Sequence, residues 1–125
     1  MTENKIATLI LDACFKIHRK LGPGLFESVY EEILSYELDK MQMKFHRQLA
    51  IPVVWDIIKL EHGFSADLIV EDKVIIEIKS VEAIAPVHQK QVLTYLRLTD
   101  KKLGLLINFN ESLLKDGIQR VANHL

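Results

Sequence analysis

The segment that decides the fold is "ADLIVEDKVIIEIKS", residues 66–80. It predicts two β-strands, because aliphatic and β-branched residues fill both halves and the polar run "EDK" separates them. Each strand also carries charge, with Asp67 in the first and Glu77 and Lys79 in the second. Because side chains alternate along a strand, Glu77 and Lys79 share one face of the sheet and Ile78 takes the other.

The length of the turn sets the register of these two strands. If "EDK" is a three-residue loop, Val70 pairs with Val74, and Asp67 then stands opposite Glu77. A two-residue loop would instead oppose Asp67 to Ile78 and place the two carboxylates on opposite faces. The three-residue loop keeps the aliphatic side chains on consistent sides. We therefore expect the two carboxylates to be cross-strand neighbours.

Two opposed carboxylates need compensation for their repulsion. Directly opposed side chains have Cβ atoms about 4.5–5.5 Å apart, and like charges at that distance destabilise a sheet. Lys79 could offset the repulsion through a surface salt bridge, and so could a divalent cation bound by carboxylate oxygens. Such a cation would polarise a phosphate and lower the pKa of a bound water, while the lysine could orient that water. The spacing of these residues alone does not choose between the two arrangements.

The rest of the chain alternates between helix and strand patterns. Apolar residues at three- and four-residue steps predict a helix over residues 3–20 and a second from about Phe26 to Met41. Pro86 suits the first turn of a third helix, over roughly residues 86–98. The apolar run "LGLLINF" that follows predicts a strand. We therefore expect a right-handed β-α-β crossover with two parallel strands.

The remaining segments are less regular. "QLAIPVVW" predicts a strand in which Pro52 indicates an edge position or a bulge, and "WDIIKLEHG" gives no clean turn pattern. "ESLLKDGIQRVANHL" predicts a terminal helix, which gives the order α-α-β-β-β-α-β-α. In the second helix, Phe26 belongs to the predicted apolar side and Glu31 to the solvated side. Glu27 borders the apolar stripe, where it could also be an acid that stabilises the helix N-terminus.

Composition limits the classes of protein that fit. The 125 residues predict one domain, 1–125, which is long enough to bury a core without disulfides or a structural metal. A net charge of -1 means that any nucleic-acid binding needs a local basic face. The single cysteine excludes an internal disulfide and a zinc cluster built on cysteine alone. Since there is no membrane-spanning apolar run and no signal-peptide pattern, we expect a cytoplasmic protein.

The Asp, then Glu-x-Lys, pattern resembles the PD-(D/E)XK nuclease superfamily. More narrowly, "GLFESVY", residues 24–30, resembles the motif of the GxxExxY proteins. "ADLIVEDKVIIEIKSVEAI", "PVHQKQVLTYL" and "LGLLINF" follow in the order of that family, so the resemblance spans about residues 5–122. It implies an α/β fold with a restriction-endonuclease-like core, αβββαβ, in which helices flank a mixed central sheet.

The resemblance also implies a set of site residues. The catalytic residues carried over to this chain are Glu27, Asp67, Glu77 and Lys79. The metal ligands would be Asp67, Glu77 and the backbone carbonyl of Ile78, and the ion would be Mg²⁺ or Mn²⁺. The family usually has an arginine two residues before the strand aspartate, and Ser65 stands there instead, which could weaken phosphate binding.

The third helix carries three further candidates. Gln91 and Tyr95 lie one turn apart on the same face, and they resemble the supporting Gln-x3-Tyr element of RecB-like nucleases. Their alternative role is the polar end of a packed helix. His88 lies one turn before Gln91, where it could face the site or be a solvated helix histidine.

The function implied is a metal-dependent nuclease that hydrolyses phosphodiester bonds. DNA is favoured over RNA as the partner, because no aromatic-rich platform for reading RNA bases is apparent. The alternative is a non-catalytic module on a nuclease fold that binds nucleic acid or protein. The presence of all four carried-over residues favours catalysis, since a decayed enzyme is expected to lose at least one. We also expect a homodimer, because small nucleases of this fold often pair two active sites on a duplex.

Overall fold

The computed structural model describes residues 1–125 as three α-helices and five β-strands. The helices are α1 (Glu3–Leu21), α2 (Glu27–Lys40) and α3 (Pro86–Thr99). The strands are β1 (Phe45–Trp55), β2 (Ile58–Val70), β3 (Val74–Lys79), β4 (Leu103–Asn108) and β5 (Ile118–Ala122), and a short 3-10 helix spans Leu114–Gly117. The first three predicted helices agree with the observed ones to within a residue or two at each end. None of the three helices combines the length and the apolar character needed to cross a membrane.

The five strands form one mixed sheet in the order β1-β2-β3-β4-β5. Strands β3 and β4 run parallel, from Val74 opposite Leu103 to Lys79 opposite Asn108, and α3 connects them. The other neighbouring strands pair antiparallel. The predicted β-α-β unit with parallel strands is thus confirmed, and the architecture is the predicted α/β class, consistent with a restriction-endonuclease-like fold.

Each face of the sheet packs against different helices. The larger core joins α1 and α2 to the sheet face that carries Ile76 and Ile78. The smaller core joins α3 to the opposite face, where Ile75 packs with Val92 and Leu96. Because side chains alternate, Glu77 shares the face of Ile75 and therefore lies under α3.

The turn between β2 and β3 has the predicted length. Val70 pairs with Val74, and the backbone N–H of Lys73 donates a 3.0 Å hydrogen bond to the carbonyl of Val70. The two central residues, Glu71 and Asp72, have positive φ angles of 53° and 55°, as a type I′ turn requires. Aspartate tolerates this left-handed backbone well, so the turn forms without glycine. The register that opposes Asp67 to Glu77 follows from it.

Of two less regular segments, one has the structure predicted from the sequence and the other does not. In β1 the pairing shifts between Ile51 and Val53, so the bulge or edge position predicted from Pro52 is confirmed. The terminal helix predicted over "ESLLKDGIQRVANHL" is wrong. Residues of this segment form β5 instead, because the free edge of β4 offers backbone hydrogen bonds along its length. Gly117 allows this close approach, since a Cβ there would lie 2.4 Å from the carbonyl oxygen of Asn108.

Two predictions within the second helix are also wrong. Phe26 precedes the helix and is 81% exposed, so it is not part of the apolar side. Glu31 is only 7% exposed, although its neighbours in sequence indicate a solvated face. Its burial follows from hydrogen bonds that residues of β1 donate to its carboxylate.

Candidate active site

Asp67 and Glu77 come together where β2 and β3 stop pairing. The last paired residues are Leu68 and Ile76, and one further step opposes Asp67 to Glu77. The backbone N–H of Ile78 donates to Oδ2 of Asp67 at 2.8 Å, and the N–H of Asp67 donates to Oε1 of Glu77 at 3.3 Å. Side-chain carboxylates thus replace backbone carbonyls as acceptors at the end of this ladder.

The electrostatics of the pair are unbalanced. Glu77 is 8% exposed, and burial together with the charge of Asp67 raises the pKa of its carboxyl from 4.5 to about 8. The backbone N–H of Asp67 and the charge of Lys79 act in the opposite direction but do not cancel this rise. At neutral pH the pair therefore favours binding a proton or a cation.

Lys79 lies at the end of β3, opposite Asn108 in the parallel strand β4. It is partly buried, and it forms no salt bridge with any carboxylate. The surface salt bridge considered from the sequence is therefore not present. Its charge still lowers the pKa of Glu77, so the ammonium group is near the pair and free to contact another ligand.

Helix α3 brings one of its three candidates beside the carboxylates. The Tyr95 ring stacks on Phe64 of β2, with ring centroids 4.0 Å apart and an angle of 6° between the planes. Burial and the charges of Glu77 and Asp67 raise the pKa of Tyr95, which places its hydroxyl within their field. Gln91, one turn earlier, is exposed.

His88 has a local structural role in the same helix. Its Nδ1 accepts a 3.1 Å hydrogen bond from the backbone N–H of Ala85, so it caps the N-terminus of α3. Capping groups of this kind satisfy an N–H that the helix itself leaves without a partner. This contact accounts for His88 without a role in the site.

Glu27 lies at the same end of β3 but contacts backbone rather than side chains. It is the first residue of α2, it is exposed, and its Oε1 accepts a 3.2 Å hydrogen bond from the N–H of Ser80. Ser80 directly follows Lys79. The structure therefore brings Glu27 next to the strand end that carries the lysine, but it shows no hydrogen bond from Glu27 to Asp67 or Glu77.

Tyr30 explains the second half of the "GLFESVY" segment. Its hydroxyl donates to the carbonyl of Gly22 at 2.6 Å and accepts from the N–H of Leu25 at 3.2 Å. The carbonyl of Leu25 in turn accepts from the Ser80 hydroxyl at 2.6 Å. These contacts tie the connection between α1 and α2 to the end of β3.

A polar network missing from the sequence-based set joins α2 to Asp67. Arg47 Nε and Nη2 donate to Oε2 of Glu31 at 3.2 and 3.0 Å, which accounts for the burial of that glutamate. Gln48 Nε2 donates to Oε1 of Glu31 at 2.7 Å and to Oδ1 of Asp67 at 3.0 Å. No local pattern marks these residues, because the partners lie 16 to 19 positions apart in the chain.

The comparison with protein families is decisive for the class of this site. The family model of the PD-(D/E)XK nuclease superfamily matches residues 4–121. The chain belongs to this superfamily. The matched range contains α2, the β2–β3 pair and α3, and so it contains every element of the site. No curated protein and no solved structure matches the chain significantly.

Nucleases of the PD-(D/E)XK superfamily generally use divalent metal ions. No group of three or more His, Cys, Asp or Glu side chains is arranged to hold a metal ion. Asp67 and Glu77 nevertheless supply two opposed carboxylates, which are hard oxygen donors with unbalanced negative charge. Mg²⁺ keeps several waters and is commonly bound through one or two carboxylates, so this pair fits such an ion. The Ile78 carbonyl as a third ligand stays a prediction.

Proposed function

We propose that this protein is a divalent-metal-dependent nuclease that hydrolyses phosphodiester bonds. Its active site would consist of Asp67, Glu77 and Lys79. The observation that carries this proposal is the opposed pair of carboxylates, in which burial and the charge of Asp67 raise the pKa of Glu77 to about 8. A pair so unfavourable for folding is typical of functional sites. Membership of a nuclease superfamily implies a nucleic-acid substrate.

The roles of the central residues follow from their chemistry. Asp67 and Glu77 would bind Mg²⁺ or Mn²⁺, which when bound polarises the phosphate and lowers the pKa of a water ligand. Lys79, which is free of any salt bridge, would place its ammonium group beside the attacked phosphate. There it stabilises the negative charge that develops on the oxygens during attack by water.

The neighbouring residues would support this arrangement. Glu27 holds the N–H of Ser80, and so it would fix the end of β3 that carries Lys79. Tyr95, stacked on Phe64, would line the site on the α3 side and keep its hydroxyl near the Asp67 and Glu77 carboxylates. Gln91 is exposed and would be available to substrate. We also propose that the negative charge of Glu27 takes part in catalysis.

We propose the GxxExxY proteins as the narrower family. The support is that both motif residues make contacts between elements, Glu27 to Ser80 and Tyr30 to the loop before α2. DNA is proposed over RNA as the substrate, and a homodimer is proposed as the acting form. Light scattering at high protein concentration tests the homodimer, since a monomer there would contradict it.

The test of the proposed function is cleavage of labelled single-stranded, double-stranded and branched DNA and RNA with Mg²⁺, Mn²⁺ or EDTA. We expect products with either metal and none with EDTA. The alternative function is a non-catalytic module that binds nucleic acid or protein. The observation that favours it is that only two carboxylates, and no group of three, come together at the site. Retention of a labelled substrate in a gel-shift assay without any cleavage would identify a nucleic-acid-binding module.

A further inference from the structure

The side chain of Gln48 connects two carboxylates that lie on different elements. An amide nitrogen carries two hydrogens. In Gln48 one points to Oε1 of Glu31 at 2.7 Å and the other to Oδ1 of Asp67 at 3.0 Å. Both donors are therefore used, and the amide links α2 directly to the proposed metal-binding aspartate.

The backbone of Gln48 is unusual in a way that serves this link. Its φ is 48°, whereas a non-glycine residue with positive φ is uncommon, above all inside a strand. The paired residues on either side are Arg47 with Leu68 and Leu49 with Ala66, so Gln48 interrupts the ladder that runs from Phe45 to Ile51. A left-handed residue breaks the regular alternation of a strand and re-aims its side chain. Strain of this kind persists where the surrounding structure holds it, and it concentrates at functional sites.

The far end of the link is itself held in place. Glu31 is buried, and Arg47 donates two hydrogen bonds to its second oxygen, Oε2. Arg47 also pairs with Glu32 through Nη1 at 2.8 Å. Although Gln48 is an exposed residue, its amide is consequently positioned by an anchored carboxylate.

The near end fixes the orientation of Asp67. Gln48 holds Oδ1 and the N–H of Ile78 holds Oδ2, so both oxygens of the carboxylate are tied to different strands. An ionised carboxylate has about four lone-pair sites, and each oxygen keeps one for a further ligand. The plane of the carboxylate, and the direction of those free lone pairs, is thereby set.

We propose that Gln48, anchored by Glu31, is a positioning residue that orients Asp67 for metal binding. This inference rests on the proposed nuclease function. It assigns to Gln48 and Glu31 the part that outer-shell partners play in other metal sites. Loss of such a partner typically lowers metal affinity or activity by roughly 10- to 100-fold.

Gln48→Met tests the proposal, with Gln42→Met as its matched control. Methionine keeps the length of the side chain and removes the amide. Gln42 is also a glutamine with positive φ, 61°, and it is exposed in the turn after α2, outside the network. The readout is the chemical shift of the Ile78 backbone amide proton, which reports on its hydrogen bond to Asp67. We expect Gln48→Met to move this resonance and Gln42→Met to leave it in place.

An unchanged Ile78 resonance in folded Gln48→Met would overturn the proposal. This measurement needs neither metal nor cleavage. It therefore tests the proposal even if the wild type cuts no substrate and the proposed function fails. If the wild type does cut, Gln48→Met should lower kcat and Mn²⁺ affinity by roughly 10- to 100-fold, while KM for the nucleic acid stays near the wild-type value. Wild-type values of kcat and of Mn²⁺ affinity in Gln48→Met would likewise contradict the proposal.

A double variant separates positioning of Asp67 from simple attachment of β1 to α2. Glu31→Gln combined with Gln48→Glu restores a hydrogen bond between the two positions with the donor and acceptor exchanged. It cannot restore donation to Asp67, and it places a second carboxylate beside that residue. We expect a folded protein, with the Ile78 resonance displaced and kcat reduced. Wild-type values for both readouts would show that the link is only structural.

Discussion

The backbone N–H of Ile78 donates a 2.8 Å hydrogen bond to Oδ2 of Asp67, at the point where β2 and β3 separate. In a continuous antiparallel ladder this N–H would bind a backbone carbonyl of the facing strand. The carboxylate takes that place, which draws Asp67 toward Glu77 despite their like charge. The separation of the two strands is thus the structural origin of the proposed metal site.

Divalent metal should stabilise the native protein through this pair. An ion that binds only the native state adds RT ln(1 + [L]/Kd), which is about 1.4 kcal/mol at tenfold excess over Kd. We expect the melting temperature to rise with Mg²⁺ or Mn²⁺ in the wild type and not in Asp67→Asn. Asparagine is the matched variant, because it keeps the volume and one oxygen acceptor. Equal rises in both proteins would indicate nonspecific ion binding.

The stability of the metal-free protein should fall as the pH rises through the neutral range. The folded pKa of Glu77, about 8, lies above its ordinary value of 4.5, so only the unfolded chain releases this proton between those two pH values. Each pH unit in this window then lowers the free energy of unfolding by up to about 1.4 kcal/mol. Urea titrations in EDTA from pH 5 to 8 measure the slope. Glu77→Gln should flatten it, and an equal slope in the variant would contradict the assignment.

Removal of Arg47 should destabilise the fold through Glu31. The change Arg47→Met leaves a buried carboxylate without its charged donors, and a hydrogen bond to a charged group contributes roughly 1.5–3 kcal/mol. We expect a loss of that size in the free energy of unfolding, measured by urea denaturation. Arg97→Met removes an exposed arginine from α3 and serves as the control, with almost no expected loss. Similar losses in the two variants would show that Glu31 does not depend on Arg47.

Two substitutions distinguish the roles proposed for Glu27. Glu27→Gln keeps an oxygen that can accept from the N–H of Ser80, whereas Glu27→Ala removes it. If Glu27 acts by holding the end of β3, cleavage should survive in the glutamine variant and fall in the alanine variant. Initial cleavage rates at saturating metal measure both. Equal loss in the two variants would instead mean that the negative charge of Glu27 is required.

The sequence predicts the centre of the fold better than its periphery, for physical reasons. A three-residue turn and strict alternation leave one register for β2 and β3, so the juxtaposition of Asp67 and Glu77 follows from local pattern. The segment that forms β5 is short and has no clear period. Its structure is decided by pairing with the free edge of β4, which the local sequence of the segment does not show.

Within the site, the burial of Glu31 is another feature that the local sequence does not predict. In "SVYEEIL" its side chain cannot be distinguished from that of Glu32, and yet one is buried and the other is exposed. The difference arises from Arg47 and Gln48, which reach Glu31 only after β1 is placed against α2. The left-handed backbone of Gln48 has no signature in composition either, since glutamine rarely adopts it.

The central claim is that Lys79 serves phosphodiester hydrolysis at the Asp67–Glu77 pair. The most direct measurement is the cleavage rate of Lys79→Met against the wild type on the same labelled substrate with Mn²⁺. Lys5→Met is the control, because it removes an exposed lysine from α1, on the opposite side of the sheet. We expect Lys79→Met to fold normally and to cut roughly 100- to 1,000-fold more slowly, while Lys5→Met cuts at the wild-type rate. Cleavage by Lys79→Met at the wild-type rate would contradict the account.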